Sequence, residues 1–213
     1  MNLAKIRSLC AFNVKDDVLL TDFYCCADEN AEEYYSDIVN ILLSSGQTLG
    51  EYLHDLLAYS NSPVIERCLH EQNPALIKAI DYDLGVLKEL VSLTSEQLRE
   101  SLSENEILRE MPAYDNGKFD YDAEYFLDFA KKNGTGIFAK YRAFTFDGEL
   151  KPVLKTDGVR LCDLKNYQVQ RSQVVENTLC FLHNQPAQNV LLYGDRGTGK
   201  SSTVKAIFNE YRE

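Results

Sequence analysis

NVLLYGDRGTGKSS, Asn189 to Ser202, decides how this chain is read. Its first five residues form a short apolar run of the kind a buried parallel strand shows. Gly194 to Ser201 then complete G-x-x-x-x-G-K-[ST], the pattern of a loop that cradles phosphate. The stretch STVKAIFNEYRE after it is helix-compatible, with Val204, Ile207 and Phe208 on one side. Strand, glycine loop and helix are the context this motif requires, so the segment predicts the opening of an α/β nucleotide-binding core.

Each residue type in the loop has a physical reason. Gly194, Gly197 and Gly199 let the backbone turn through conformations closed to other residues and bring its N–H groups against phosphate oxygens. The helix beginning near Gly199 adds its positive dipole end and free N–H donors. Lys200 reaches the β and γ phosphates, and the Ser201 hydroxyl is the expected Mg²⁺ ligand. Ser202 is expected near the α phosphate. Asp195, Arg196 and Thr198 fill the variable positions of the nucleotide-binding loop, and their side chains are given no catalytic role. Hydrolysis needs more, namely an acid on a second strand to hold Mg²⁺ through water and a group that orients the attacking water. Thirteen residues follow Lys200, one helix of roughly 18 Å. Upstream, VLLTD, Val18 to Asp22, resembles an apolar strand ending in an acid but stands on the wrong side of the loop and is set aside.

Working outward, the first 133 residues read as helices with clear punctuation. Ala31 to Leu43 carries Tyr34, Ile38, Ile41 and Leu42 on one face and stops before Gly46. Thr48 and Glu51 form a capping box ahead of the stripe Leu49, Leu53, Leu56 and Leu57. Ser62-Pro63 and Asn73-Pro74 each place a capping side chain before a proline at the first helical position. Leu76, Ile77, Ile80, Leu84, Leu87 and Val91 follow at helical spacing, with Gly85 as a tolerated weak point. Thr94 and Gln97 suggest a second capping box, and Asp122 to Lys132 a helix stopped by Asn133-Gly134. Such stripes are read as packing surface.

At Gly134-Thr135-Gly136 the period changes. IFAKYRAFTF, Ile137 to Phe146, is rich in β-branched and aromatic residues, and Asp147-Gly148 precedes ELKPVLK, so a β-hairpin is expected here. Pro152 makes its second strand an edge or keeps it short. Val174, Val175, Thr178, Phe181 and Leu182 place a helix between about Gln170 and Asn184, closed by Pro186.

Composition sets the outer limits. The chain has 213 residues, 45% apolar, which is enough for a packed core. Its net charge of −11 argues against nucleic acid or an anionic membrane as partner. No window approaches the roughly 18 apolar residues of a membrane helix, and MNLAKIRSLCAFNVKDD lacks the apolar centre of a signal peptide, so a cytoplasmic protein is expected. The six cysteines form no C-x-x-C pair and read as reduced thiols; adjacent Cys25 and Cys26 lack a second ligand pair for a metal. His54, His70 and His183 stand alone on helical segments and read as surface or satisfied core residues.

The stretch from Gly136 to Tyr211 closely resembles the bacterial AAA+ family of ATP-binding proteins catalogued as "domain of unknown function 815", and the Thr48 to Leu57 helix resembles it more loosely. The resemblance implies an AAA+ ATPase domain beginning near Gly158 behind a helical region, with Leu161, Leu164 and Tyr167 near the adenine. Where the family usually has a glycine before the tyrosine, this chain has Asn166. The family's Walker B acids, sensor asparagine and helical lid would follow Tyr211 and are not among these residues.

The expectation is therefore an α/β protein: a mainly α-helical domain over 1–134, a β-hairpin connector over 135–157, and the first part of a P-loop NTPase core over 158–213. It binds ATP with Mg²⁺ and is not an efficient ATPase by itself, with a protein partner or self-association through the AAA+ domain. A helical protein-interaction module with a vestigial loop is the alternative. A GTPase or small-molecule kinase is a third, against which stands the absence of Asn-Lys-x-Asp.

Overall fold

In the computed structural model, residues 2–27, 30–71, 73–102 and 106–211 are described. The chain divides into two compact units, Met1–Pro152 and Val153–Glu213.

In the first unit Asp17, Thr48, Ser62, Asn73, Thr94 and Asp122 each cap a helix start through the side chain, whereas Asn30 and Thr135 do not. A 3₁₀ turn over Leu3–Ser8 leads to α1 (Val18–Cys25), α2 (Ala31–Ser45), α3 (Leu49–Ala58), α4 (Pro63–His70) and α5 (Pro74–Ser92). Then come α6 (Ser95–Ser101), α7 (Glu106–Glu110), α8 (Ala123–Asn133) and α9 (Gly136–Lys140). Gly46 ends α2 in the left-handed conformation at φ 69°, which a glycine adopts without a Cβ penalty. Both expected capping boxes form, Thr48 with Glu51 and Thr94 with Gln97. Ser62 accepts from the Ile65 N–H and Asn73 from the Ala75 N–H, and each is followed by proline.

The core gathers Tyr35, Phe23, Leu19, Leu20, Ile38, Leu53, Ile80 and Leu87, all fully buried. On α2 it is Tyr35 that points inward, donating its hydroxyl to the Pro112 carbonyl at 2.9 Å, and Tyr34 is only half-buried. The stripe on α2 is thus shifted by one residue at its start from the expected Tyr34, because Tyr35 is one turn ahead of Ile38 and Val39. On α3, Leu49, Leu53 and Leu57 are buried while Leu56 lies at the rim.

Two tethers hold irregular chain against this core. The Asp83 carboxylate, fully buried on α5, accepts the N–H groups of Cys10, Ala11 and Phe12 at 2.8 to 3.1 Å. Ser62 donates to the Ala11 carbonyl of the same loop at 2.7 Å. Beyond α7, the Asp115 and Asn116 carbonyls accept the Leu49 and Gly50 N–H groups, both at 2.9 Å. Those donors open α3 and have no partner within it. The Asn116 amide in turn reaches the Val91 and Leu93 carbonyls at the end of α5.

Three strand-like stretches take another form in the structure. VLLTD is the start of α1, capped by Asp17, whose carboxylate accepts from the Leu20 N–H at 3.1 Å. Asp22 is buried there with Oδ2 bonded to nothing among the described residues, and desolvation, followed by the charges of Asp37 and Asp17, raises its pKa. Second, Ile137 to Phe146 is not one strand: Gly136–Lys140 is helical and only Phe144–Phe146 forms β1, paired antiparallel with β2 (Leu150–Pro152). The ladder is three residues long because Pro152, opposite Phe144, has no N–H to extend it. Third, Asn189 to Tyr193 carries no strand, since its only possible stabilisation is a neighbour to hydrogen-bond with, and β1 and β2 are the one sheet among the described residues. The expected α/β core is thus replaced, over the described residues, by a mostly helical chain with one small antiparallel hairpin.

The second unit contains a 3₁₀ turn over Leu161–Asp163, α10 (Gln168–Leu182) and α11 (Lys200–Tyr211). Here α11 turns Thr203, Ala206, Ile207 and Asn209 inward, and Val204, expected on the apolar side, is 56% exposed. Asn209 is the anchor of this unit. Its amide donates to the Asp157 and Val159 carbonyls at 2.6 and 2.9 Å, and its own carbonyl accepts from Arg160 at 3.0 Å.

Candidate nucleotide-phosphate site

The loop Gly194–Gly199 joins the unpaired Asn189–Tyr193 stretch to α11, and its backbone adopts the geometry its glycines permit. Gly194, Gly197 and Gly199 have φ of 139°, 84° and 83°, values that carry a steric penalty for residues with a Cβ. Nothing lies within 4 Å of a Cβ built on Gly197 or Gly199, so it is conformation and not crowding that requires glycine at these two.

Lys200 opens α11 and bends back over the loop. Its ammonium donates to the Gly194 carbonyl at 2.9 Å, the Asp195 carbonyl at 2.6 Å and the Thr198 hydroxyl at 3.2 Å. Thr198 in turn donates to the Asp195 carbonyl at 2.9 Å. The first full bonds of α11 are made by Thr203, whose N–H and hydroxyl both reach the Gly199 carbonyl. The N–H groups at the start of the helix therefore have no partner inside it.

A cavity of about 630 Å³ opens beside this loop, within the size range of small-ligand sites. Gly194, Asp195, Thr198, Lys200 and Thr203 line one part of it. Tyr167, Gln170, Arg171, Gln173 and Val174 from α10 and its leading turn line another, and Val190 to Tyr193 complete it. Of the residues expected around a nucleotide, Tyr167 and these loop residues meet at one cavity. Arg196, Gly197, Gly199, Ser201 and Ser202 lie on the loop and the first turn of α11 and do not line it. Leu161 borders a separate depression. Leu164 borders neither, and both leucines use their carbonyls to accept from Arg171 Nη1, at 3.5 and 2.6 Å.

Asn166 and Tyr167 both have positive φ, 66° and 52°, at the entry to α10. Asparagine tolerates the left-handed region better than most residues, so Asn166 holds this conformation at modest cost. Arg171, Gln170 and Gln173 were not identified from the sequence. Their signal was positional: 167, 170, 171 and 174 share one helical face.

Ser201 is exposed on the first turn of α11, and its hydroxyl is bonded to nothing among the described residues. A lone hydroxyl fits a Mg²⁺ ion that arrives with phosphate and keeps its waters. No cluster of three or more His, Cys, Asp or Glu residues able to hold a metal occurs among the described residues. All six cysteines are free, and burial pushes the Cys26 thiol up to about 12. His54 is a satisfied residue, with Nδ1 at 3.0 Å from Asp55 and Nε2 at 2.8 Å from the Tyr125 hydroxyl. No helix among the described residues is long and apolar enough to cross a membrane.

Residues 137–213 match the family model described as "Protein of unknown function (DUF815)". This supports the family resemblance over the segment that contains the loop. No curated protein and no solved structure matches the chain.

Proposed function

We propose that the chain binds a nucleoside triphosphate, ATP carried with Mg²⁺, through the loop from Gly194 to Ser202, as a cytoplasmic protein of AAA+ type. The observation that carries the reading is the conjunction at α11: a complete G-x-x-x-x-G-K-S whose three glycines take positive φ, followed directly by a helix N-terminus and facing a cavity of about 630 Å³. In this reading the terminal phosphates enter where the loop carbonyls now hold the Lys200 ammonium, and the lysine exchanges those acceptors for phosphate oxygens. The unpaired N–H groups of the first α11 turn donate to the same anion, and Ser201 supplies its hydroxyl to the magnesium.

Binding is the activity this site supports, and efficient turnover by these 213 residues is not proposed. Among the described residues Asp195 is the one carboxylate lining the cavity, and it belongs to the loop itself. Turnover requires a second acid and a group that holds the attacking water in line.

Isothermal titration with ATP and Mg²⁺ tests the reading. Heat is expected from the parent chain and its loss from Lys200→Ala, with far-UV circular dichroism showing both folded alike. A parent that gives no heat, or a Lys200→Ala chain that binds as the parent does, overturns it and leaves a helical interaction module with a vestigial loop.

A further inference from the structure

α10 is unusual in this chain, because none of its fifteen residues is buried. A helix of that length ordinarily packs an apolar stripe. Here the face formed by Gln170, Arg171, Gln173 and Val174, continued by Tyr167 at its N-cap, borders the cavity that also contains Lys200. Two kinds of polar group are therefore presented by this wall, and their bonding differs. One nitrogen of the Arg171 guanidinium, Nη1, is engaged by backbone, donating to the Leu164 carbonyl at 2.6 Å and the Leu161 carbonyl at 3.5 Å. The side-chain amides of Gln170 and Gln173 are exposed and hydrogen-bond to nothing among the described residues.

This division matters for the base of a nucleotide. A glutamine amide offers donors and an acceptor side by side, which matches the adjacent amino donor and N7 acceptor of adenine. Guanine presents two acceptors on the same edge, O6 and N7, and the side chain matched to that pair is an arginine fork. Among the described residues Arg171 is the one arginine on this wall, and its Nη1 is held by the Leu161 and Leu164 carbonyls. We propose that Gln170 and Gln173 select adenine over guanine, and that the tether on Arg171 withholds the group that would reverse the choice. This inference rests on the nucleotide-binding reading above and names the residues that discriminate within that site.

The test is a titration of the parent chain with ATP, GTP and inorganic tripolyphosphate, each with Mg²⁺, repeated with ATP and GTP on Gln170→Ala/Gln173→Ala. The parent is expected to prefer ATP over GTP by roughly fivefold or more, the discrimination one good amide pairing supplies. The double variant is expected to bring that ratio close to one. Both side chains are exposed and unbonded among the described residues, so their loss leaves the fold intact. A parent that binds tripolyphosphate but does not distinguish the nucleotides overturns this inference and leaves phosphate binding standing. So does a double variant that keeps the parent's ratio. A parent that binds none of the three overturns both readings.

Discussion

Alanine in place of glycine inside a helix ordinarily adds stability, and at Gly50 it should do the opposite. Gly50 is the second residue of α3, and its N–H reaches the Asn116 carbonyl at 2.9 Å. A Cβ at this position would stand 2.3 Å from the Lys118 carbonyl oxygen and 2.7 Å from its carbon, both backbone atoms. Ordinary contact begins near 3.4 Å, so the 116–118 backbone would have to retreat by about 1 Å. That movement pulls the Asp115 and Asn116 carbonyls off the Leu49 and Gly50 N–H groups, and each buried donor left unpaired costs about 1–3 kcal/mol. It also draws the Asn116 amide away from the Val91 and Leu93 carbonyls. Against this stands a propensity gain of about 1 kcal/mol at most. The expected net loss for Gly50→Ala is about 2–4 kcal/mol, read from urea unfolding followed by far-UV circular dichroism. Gly85→Ala is the internal control. It lies in the middle of α5 with nothing within 4 Å of the added Cβ, so the same exchange should stabilise by up to about 1 kcal/mol. A Gly50→Ala chain as stable as the parent would refute the close-approach account.

Two further substitutions probe the carboxylates of the first unit. Asp83→Asn keeps the shape but turns an amide toward three backbone N–H donors, and a loss of about 3 kcal/mol is expected in the same unfolding experiment, with a loss under about 1 kcal/mol counting against the tether. Asp22 has its pKa raised in the fold by burial and by Asp37 and Asp17. The folded state therefore holds its proton more tightly than the unfolded chain does, and stability is greatest below the unfolded pKa and declines as pH rises through the folded one. Asp22→Asn removes that decline. The variant should melt above the parent at neutral pH, with the gap closing as pH falls through the carboxylate range, and a gap independent of pH would contradict the assignment.

Helices α2 to α6 and α8 were legible because their ends are written in local chemistry, while α1, α7 and α9 were not. Thr48 with Glu51, Asn73 before Pro74 and Gly46 after Ser45 each satisfy or release specific backbone groups, and a cap needs only its near neighbours to act. The strands were not legible for the converse reason. Val190, Leu191 and Tyr193 have the composition of a strand, yet a strand exists only where another lies beside it, and that information is not local. The Ile137 to Phe146 run divides in the same way, since three residues of β2 can pair with only three of β1. In the site, the glycine positions followed from the motif alone. Arg171 did not, because the partners of its guanidinium are backbone carbonyls in the turn that precedes α10. Asp83 carried a readable signal, an acid at the buried spacing of Ile80, Leu84 and Leu87.

The folded-back position of Lys200 has a consequence for which anions can compete at this loop. Three oxygens of the loop surround the ammonium, so its charge is not offered freely to the bulk electrolyte. Chloride brings one charge and no array of acceptors, and cannot replace all three at once. A polyphosphate chain can, because its oxygens are spaced along a single molecule and meet the lysine and the helix-start donors together. If the proposed phosphate binding holds, occupancy should accordingly withstand ordinary monovalent salt better than a surface ion pair does, and the loop would favour chain-like anions over simple ones.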